Sequence, residues 1–230
     1  MVRPEDLLQG SEDWRYARLG LVTASRVADV IAKTKSGVSA SRANYMAQLI
    51  AERLSGCPQE SYSNPAMAHG VDTEPHARAA YEFHTNATVV EVGFIKHPTI
   101  EMAGASPDGL VNDDGLLETK CPTTSTHLDT LLGGSIPAKY ITQIMWQLAC
   151  CGPDREWCDF VSFDPRLPER LRLFVKRVHR DDVMIARLEK DVTEFLTELS
   201  DKVCALDAIA AGRSVVKEQL TASLNILAAG

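Results

Sequence analysis

The chain has 230 residues, 45% hydrophobic and 24% charged, with a formal net charge of −7 at neutral pH. This length suits one α/β domain with a sizeable core, and the acidic balance excludes a broad basic surface that would coat nucleic acid, while leaving room for a narrow basic groove. No apolar run is long enough to cross a bilayer, and the opening MVRPEDLLQGSEDW lacks the apolar stretch of a secretory signal, so a cytoplasmic, single-domain protein is expected, with a core over about 9–206 and a tail over 207–230.

The segment SEDWRYARLGLVTASRVADVI reads as a short helix opened by Ser11, a break at Gly20, and a second helix capped near Thr23 or Ser25. Residues 41–56 have helical periodicity and stop on Gly56. The stretch 57–65 is a loop. Thr73-Glu74-Pro75 starts the next helix, with Thr73 as cap and Pro75 in the first turn, running to about His84. Residues 87–97, 102–111 and 115–121 read as strands, the last two joined by the turn Asn112-Asp113-Asp114-Gly115. A helix over 137–151 follows, then strands over 157–164 and 171–179. From Asp181 to about Leu206 a long amphipathic helix puts Val183, Leu188, Val192, Phe195, Leu199 and Val203 on its inner face. This order gives a small mixed β-sheet flanked by helices, an α/β fold.

The chemistry concentrates in Ser106-Pro107-Asp108-Gly109 and Leu117-Glu118-Thr119-Lys120. With the turn centred on Asp113 and Asp114, Gly109 is expected opposite Glu118 and Asp108 one step away, so the two carboxylates lie within about 5–8 Å across a hairpin. Side chains alternate along a strand, so Glu118 and Lys120 share one face and Leu117 and Thr119 the other. Two carboxylates at that separation repel unless a cation sits between them. Oxygen ligands favour a hard metal such as Mg²⁺, and a lysine beside it orients or helps deprotonate a water and offsets developing charge. This is equipment for hydrolysing a phosphodiester. The six cysteines, Cys57, Cys121, Cys150, Cys151, Cys158 and Cys204, include no C-x-x-C pair and are expected to be free thiols.

At these residues the chain resembles the PD-(D/E)xK nucleases, and among them the lambda exonuclease and YqaJ-type viral recombinase family. WRYARLGLVTAS (14–25) is similar to that family's opening motif, HGVDTEPHARAAYE (69–82) to its acidic helix, ASPDGLV (105–111) and LETKCP (117–122) to its metal-site strands, and KYITQIMWQL (139–148) to its glutamine helix. The resemblance implies a restriction-endonuclease-like core. It implies that Asp108, Glu118 and the carbonyl of Thr119 bind metal, that Lys120 positions the nucleophilic water, and that Glu74 is a further acid near a second metal. It implies that Gln143 supports Lys120 or the water, and that Arg18, Thr23 and Ser25 grip a terminal 5′-phosphate. Met67 takes a place where the family presents an apolar wedge to the terminal base pair. Where some relatives carry a second glutamine two residues after the first, this chain has Met145.

The activity so implied is 5′-to-3′ digestion of double-stranded DNA from its ends. It would use two Mg²⁺ ions, with Mn²⁺ able to substitute, release mononucleotides and leave a 3′ single strand for recombination. The resemblance also implies a ring-shaped homotrimer and a partner that anneals single strands; a ring lets topology replace electrostatic affinity in an acidic protein. Competing expectations are an endonuclease of the same fold and a non-catalytic DNA-end-binding module, the latter opposed by the intact Asp108, Glu118 and Lys120. Each outlying residue also has an ordinary structural reading. Glu74 would favour the N-terminus of its helix, Gln143 would lie on a helix surface, and Arg18 would pair with Glu12 or Asp13. The six histidines are given no role, and Trp14, Trp146 and Trp157 are placed in the core.

Overall fold

The computed structural model describes residues 3, 6–35, 37–59 and 65–228, with 65–68 and 213–228 described by their backbone alone. Ser11 accepts a hydrogen bond from the Trp14 amide and starts α1 (Glu12–Ala17). Gly20, at φ +67°, turns the chain into β1 (Val22–Thr23). A 3-10 turn over Ala24–Arg26 and the short α2 (Val27–Val30) follow, so a strand and two brief turns replace the single helix expected there. β2 (Lys33–Thr34) and β3 (Gly37–Val38) form a small hairpin. α3 (Ala40–Ser55) is capped by Ser39 and closed by Gly56 in the left-handed region, as its sequence predicts.

α4 spans Pro65–Thr85, so its start lies well before Thr73. Thr73 is no cap, and Pro75 sits inside the helix, where its missing N–H removes one backbone hydrogen bond without ending the element. The expected strand over 87–97 splits into β4 (Val89–Val90) and β5 (Ile95–Lys96), which belong to different sheets. The strand over 102–111 likewise splits into β6 (Ala103–Ala105) and β7 (Gly109–Val111). Pro107 cannot donate to a ladder, which explains the second break. The Gln9 side-chain amide ties both breaks together, donating to the carbonyls of Val92 and Pro107 at 2.8 Å each.

β8 (Gly115–Lys120) is followed by α5 (Thr124–Gly133), an element the sequence pattern does not announce, then α6 (Ala138–Cys151). β9 (Trp157–Phe163) and β10 (Leu173–His179) pair antiparallel. α7 runs over Asp182–Ala228 as one helix, well beyond Leu206. Its inner stripe is Ile185, Leu188, Val192, Phe195 and Leu199, all buried, whereas Val183 is 64% exposed. Val183 was expected inside; the three- and four-residue spacing back from Leu188 selects Ile185 instead.

The main sheet has strand order β10-β9-β8-β7-β4, with β8 and β9 parallel and the other pairs antiparallel. A second sheet has order β1-β6-β5. Mixed sheets flanked by helices are the architecture the sequence predicts. One face of the main sheet carries Leu116, Cys158 and Phe160 into a core shared with α2, α3, α6 and α7. The other carries Leu117, Val161 and Trp157 against Ala77 and Tyr81 of α4. Glu118 and Lys120 lie on the same face as Leu116, toward α6. Gly109 is required where β7 meets β4, because a Cβ there would come 2.2 Å from Val89 Cγ1.

Candidate active site

The β7–β8 hairpin differs by one residue from its sequence expectation. Val111 pairs with Gly115 and Gly109 with Leu117, leaving a three-residue loop in which Asn112 takes φ +46°. Asp108 stands just before the Gly109–Leu117 pair, and its amide donates to the Leu117 carbonyl at 3.1 Å. Asp108 Oδ2 accepts the Thr119 amide at 2.6 Å, which anchors one of its oxygens on β8. Thr119 itself points to the opposite face, and its hydroxyl is buried with no hydrogen-bond partner among the described residues.

Glu118 is fully buried. A carboxylate in that position needs donors, and α6 supplies them: Gln143 Nε2 donates to Oε1 at 2.7 Å and Gln147 Nε2 to Oε2 at 2.6 Å. Lys120 Nζ also pairs with Glu118 Oε1. Burial pulls the Lys120 ammonium down, but Glu118 and Asp108 outweigh it and hold the group above its ordinary range. Burial, reinforced by Glu118, pushes the Asp108 carboxyl well above the usual carboxylate value; Lys120 opposes the shift. Negative charge is thus in excess around Asp108, and a cation would stabilise it.

Glu74 sits about three turns into α4, too far from the helix start for the macrodipole reading to hold. Burial raises its carboxyl; Lys120 and Arg78 pull it back, and Glu118 and Glu91 push it further up, so it belongs to the same field. Among the described residues no three His, Cys, Asp or Glu side chains converge tightly enough to hold an ion by themselves. The donor set is therefore two carboxylates with main-chain oxygen and water. It fits a hard divalent cation such as Mg²⁺, which commonly takes one or two carboxylates and keeps several waters.

The opening motif arrives at the same place by a different route. Arg18, Thr23 and Ser25 line a cavity of about 160 Å³ together with Gln9, Trp14, Ala24, Ser106, Asp108 and Gln143. Trp14, expected in the core, is part of this wall: its Nε1 donates to Ser106 Oγ at 3.0 Å, and the Arg18 guanidinium lies 3.8 Å above its ring. Arg18 makes no ion pair with Glu12 or Asp13; its Nε is buried with no hydrogen-bond partner among the described residues. Burial pulls its guanidinium down to about 10, still charged at neutral pH. Past Arg18, a larger space of about 380 Å³ is lined by Arg15, Arg26, Tyr45, Gln48 and Glu52. Met67 lies in the first turn of α4, but its side chain is outside the described residues.

Gln147, Trp14, Gln9 and Ser106 are site residues that sequence reasoning missed. Gln147 carried a signal: it follows Gln143 by four residues, one helical turn. His97 and His127, given no role, hold their own surroundings, with His127 Nδ1 2.7 Å from Ser162 Oγ and His97 Nδ1 accepting the Ile100 amide at 3.1 Å. All six cysteines are free. No helix among the described residues is long and apolar enough to cross a membrane.

The sequence profile of the YqaJ-like viral recombinase domain matches residues 13–154. Crystal structures of an alkaline exonuclease from Laribacter hongkongensis are 52% identical over 87% of this chain and 98% of theirs, with TM-scores of 0.81 and, for the complex with dAMP, 0.82. A phage-related exonuclease from Haemophilus somnus 129PT matches at 14% identity over 81% of this chain and 96% of its own, with a TM-score of 0.67, and shares the fold. No match is found among the curated proteins.

Proposed function

The chain belongs to the YqaJ-like viral recombinase family and is a DNA nuclease, and from that premise we propose that it digests linear double-stranded DNA exonucleolytically from 5′-phosphorylated ends. The products are mononucleotides and a 3′ single strand suited to recombination. The observation that carries this reading is the 160 Å³ cavity, with Asp108 and Gln143 on one side and Arg18, Thr23 and Ser25 on the other. A cleavage centre needs acids; an enzyme that counts from an end also needs a pocket for that end, close by.

Asp108, Glu118 and the Thr119 carbonyl would hold a divalent cation, two Mg²⁺ in all with Glu74 serving the second, and Mn²⁺ able to replace them. When bound, the metal supplies Lewis acidity toward the scissile phosphate and activates the attacking water. Glu118 is oriented by the Gln143 and Gln147 amides and by Lys120. Lys120, paired with Glu118, would donate hydrogen bonds to the water and to anionic oxygen. Arg18 offers its guanidinium to the terminal phosphate, with Thr23 and Ser25 adding hydroxyls. Met67 is assigned the wedge at the terminal base pair from the resemblance alone. A homotrimeric ring, with a single-strand-annealing partner to take the product, would keep a protein of net charge −7 on DNA without a basic surface.

The test is digestion of linear duplexes labelled at the 5′ or 3′ end, beside covalently closed circles, in Mg²⁺ and in EDTA. Loss of 5′ label as mononucleotide, in Mg²⁺ and from linear DNA alone, is expected. Cutting of the closed circle would make the protein an endonuclease, and unchanged digestion in EDTA would remove the metal from the account.

A further inference from the structure

We propose that Gln147 is a positioning residue for the metal-binding carboxylate Glu118, completing with Gln143 an amide clamp on both of its oxygens. The proposal rests on the metal reading given above. Gln143 and Gln147 are four residues apart on α6, so both side chains reach the same strand, and each donates to a different oxygen of Glu118 at 2.7 and 2.6 Å. The two contacts are not equivalent. Oε1 is also paired with Lys120, whereas Gln147 is the only side-chain donor to Oε2 among the described residues. Removing Gln143 leaves Oε1 with Lys120, while removing Gln147 leaves Oε2 bare and the carboxylate free to rotate about its last bond.

The residue's surroundings argue against a packing role. Gln147 is fully buried among Ile144, Met145, Trp146, Leu148, Ala149 and Cys150, the apolar stretch of α6. Its own Oε1 is buried with no hydrogen-bond partner among the described residues. Turning the amide over would aim that carbonyl at the carboxylate, so the donation to Glu118 fixes which way it faces. A methionine there would fill similar space and carry no unpaired polar atom of its own, but it would leave Glu118 Oε2 without its donor. A buried amide that satisfies one neighbour and leaves half of itself unpaired is explained by that neighbour's needs. The position two residues after Gln143 holds the buried Met145; the second amide stands instead one full turn on, where helix geometry points it at Glu118.

The experiment compares wild type, Gln143→Met and Gln147→Met by calorimetric titration of the full-length protein with Mn²⁺, thermal melting in EDTA, and kcat at saturating Mn²⁺. Gln147→Met should weaken Mn²⁺ binding by about ten- to a hundredfold, the usual effect of removing a group that orients a ligand. Gln143→Met should weaken it less. The melting temperature of Gln147→Met in EDTA should fall by a few degrees, since the buried Oε2 of Glu118 loses its side-chain donor. In a Glu118→Gln background, Gln147→Met should add no further loss. Should Gln147→Met not fold, Gln147→Asn, which keeps the amide but shortens its reach, carries the same expectation. Wild-type Mn²⁺ affinity in a Gln147 variant, in a protein whose wild type binds Mn²⁺, overturns the positioning role and leaves the metal reading standing. Absence of Mn²⁺ binding by wild type overturns the metal reading and this proposal with it.

Discussion

Arg18→Ala should erase the preference for 5′-phosphorylated ends while leaving the fold intact. The side chain stacks 3.8 Å above Trp14, its Nε is buried without a partner among the described residues, and burial has drawn its guanidinium from 12.5 to about 10. Burial has thus stripped the charged group of part of its solvation. A dianionic terminal phosphate would recover much of it through charge-assisted hydrogen bonds worth about 1.5–3 kcal/mol, and a 5′-hydroxyl would recover little. Wild type should therefore digest phosphorylated ends roughly ten- to a hundredfold faster than hydroxyl ends. Loss of the stacking costs about 0.5–1 kcal/mol, offset by removing the unpartnered nitrogen, so stability should hardly move. The assay crosses two enzymes with two ends and reads the ratio of initial rates. Arg18→Ala should bring the ratio near one, with hydroxyl ends cut about as fast as by wild type. Retention of the full ratio by Arg18→Ala would refute the end pocket even with the nuclease activity unchanged.

Lys120→Ala should keep DNA affinity in Ca²⁺ and lose most of kcat in Mg²⁺, because a water-positioning group acts mainly in the transition state; a variant that fails to bind DNA yet turns over bound substrate normally would contradict this role. Asp164 is fully buried, and burial raises its carboxyl, but hydrogen bonds from Arg166 and Thr124 outweigh that and hold it near about 2. A depressed carboxyl contributes stability that is present above its ordinary value of about 4 and lost as pH falls toward 2. With Arg166 half exposed the contribution is discounted to about 1–2 kcal/mol. Asp164→Asn should thus melt roughly 2–6 °C lower at pH 6, with the gap closing by pH 2; a gap that stays constant across that range would show the ion pair is not its source.

The hairpin that carries the candidate site was legible because two local signals agree there: strand alternation puts Glu118 and Lys120 on one face, and Asn112-Asp113-Asp114-Gly115 marks the turn. Its register was not, since Asn112 entering the left-handed region lengthens the loop from two residues to three, a choice of backbone conformation that composition does not settle. Pro75 looked like a helix start because proline favours the first turn; packing of Ala77 and Tyr81 against the sheet holds the helix through it. α5, TSTHLDTLLG, buries only His127 and so lacks the apolar stripe that reveals a helix. Gln147 was hidden by its own company, a polar residue in an apolar run whose partner lies 29 positions away. The convergence of Arg18, Thr23 and Ser25 on Asp108 is tertiary: β1 pairs in parallel with β6, just before the Ser106–Asp108 turn, and that pairing, with the Trp14–Ser106 and Gln9–Pro107 hydrogen bonds, brings the two segments together.

The central claim is that Asp108 and Glu118 hold the metal that drives hydrolysis, and it is tested most directly by following mononucleotide release from one 5′-phosphorylated linear duplex in Mg²⁺ with wild type, Asp108→Asn and Glu118→Gln. Both substitutions preserve shape; Asp108→Asn relieves carboxylate repulsion and should melt at or above the wild-type temperature, whereas Glu118→Gln sets an NH2 group against one of its donors and should melt somewhat lower while staying folded. Wild type should release nucleotides and both variants none, with DNA binding retained. Release by either variant at near the wild-type rate would contradict the account.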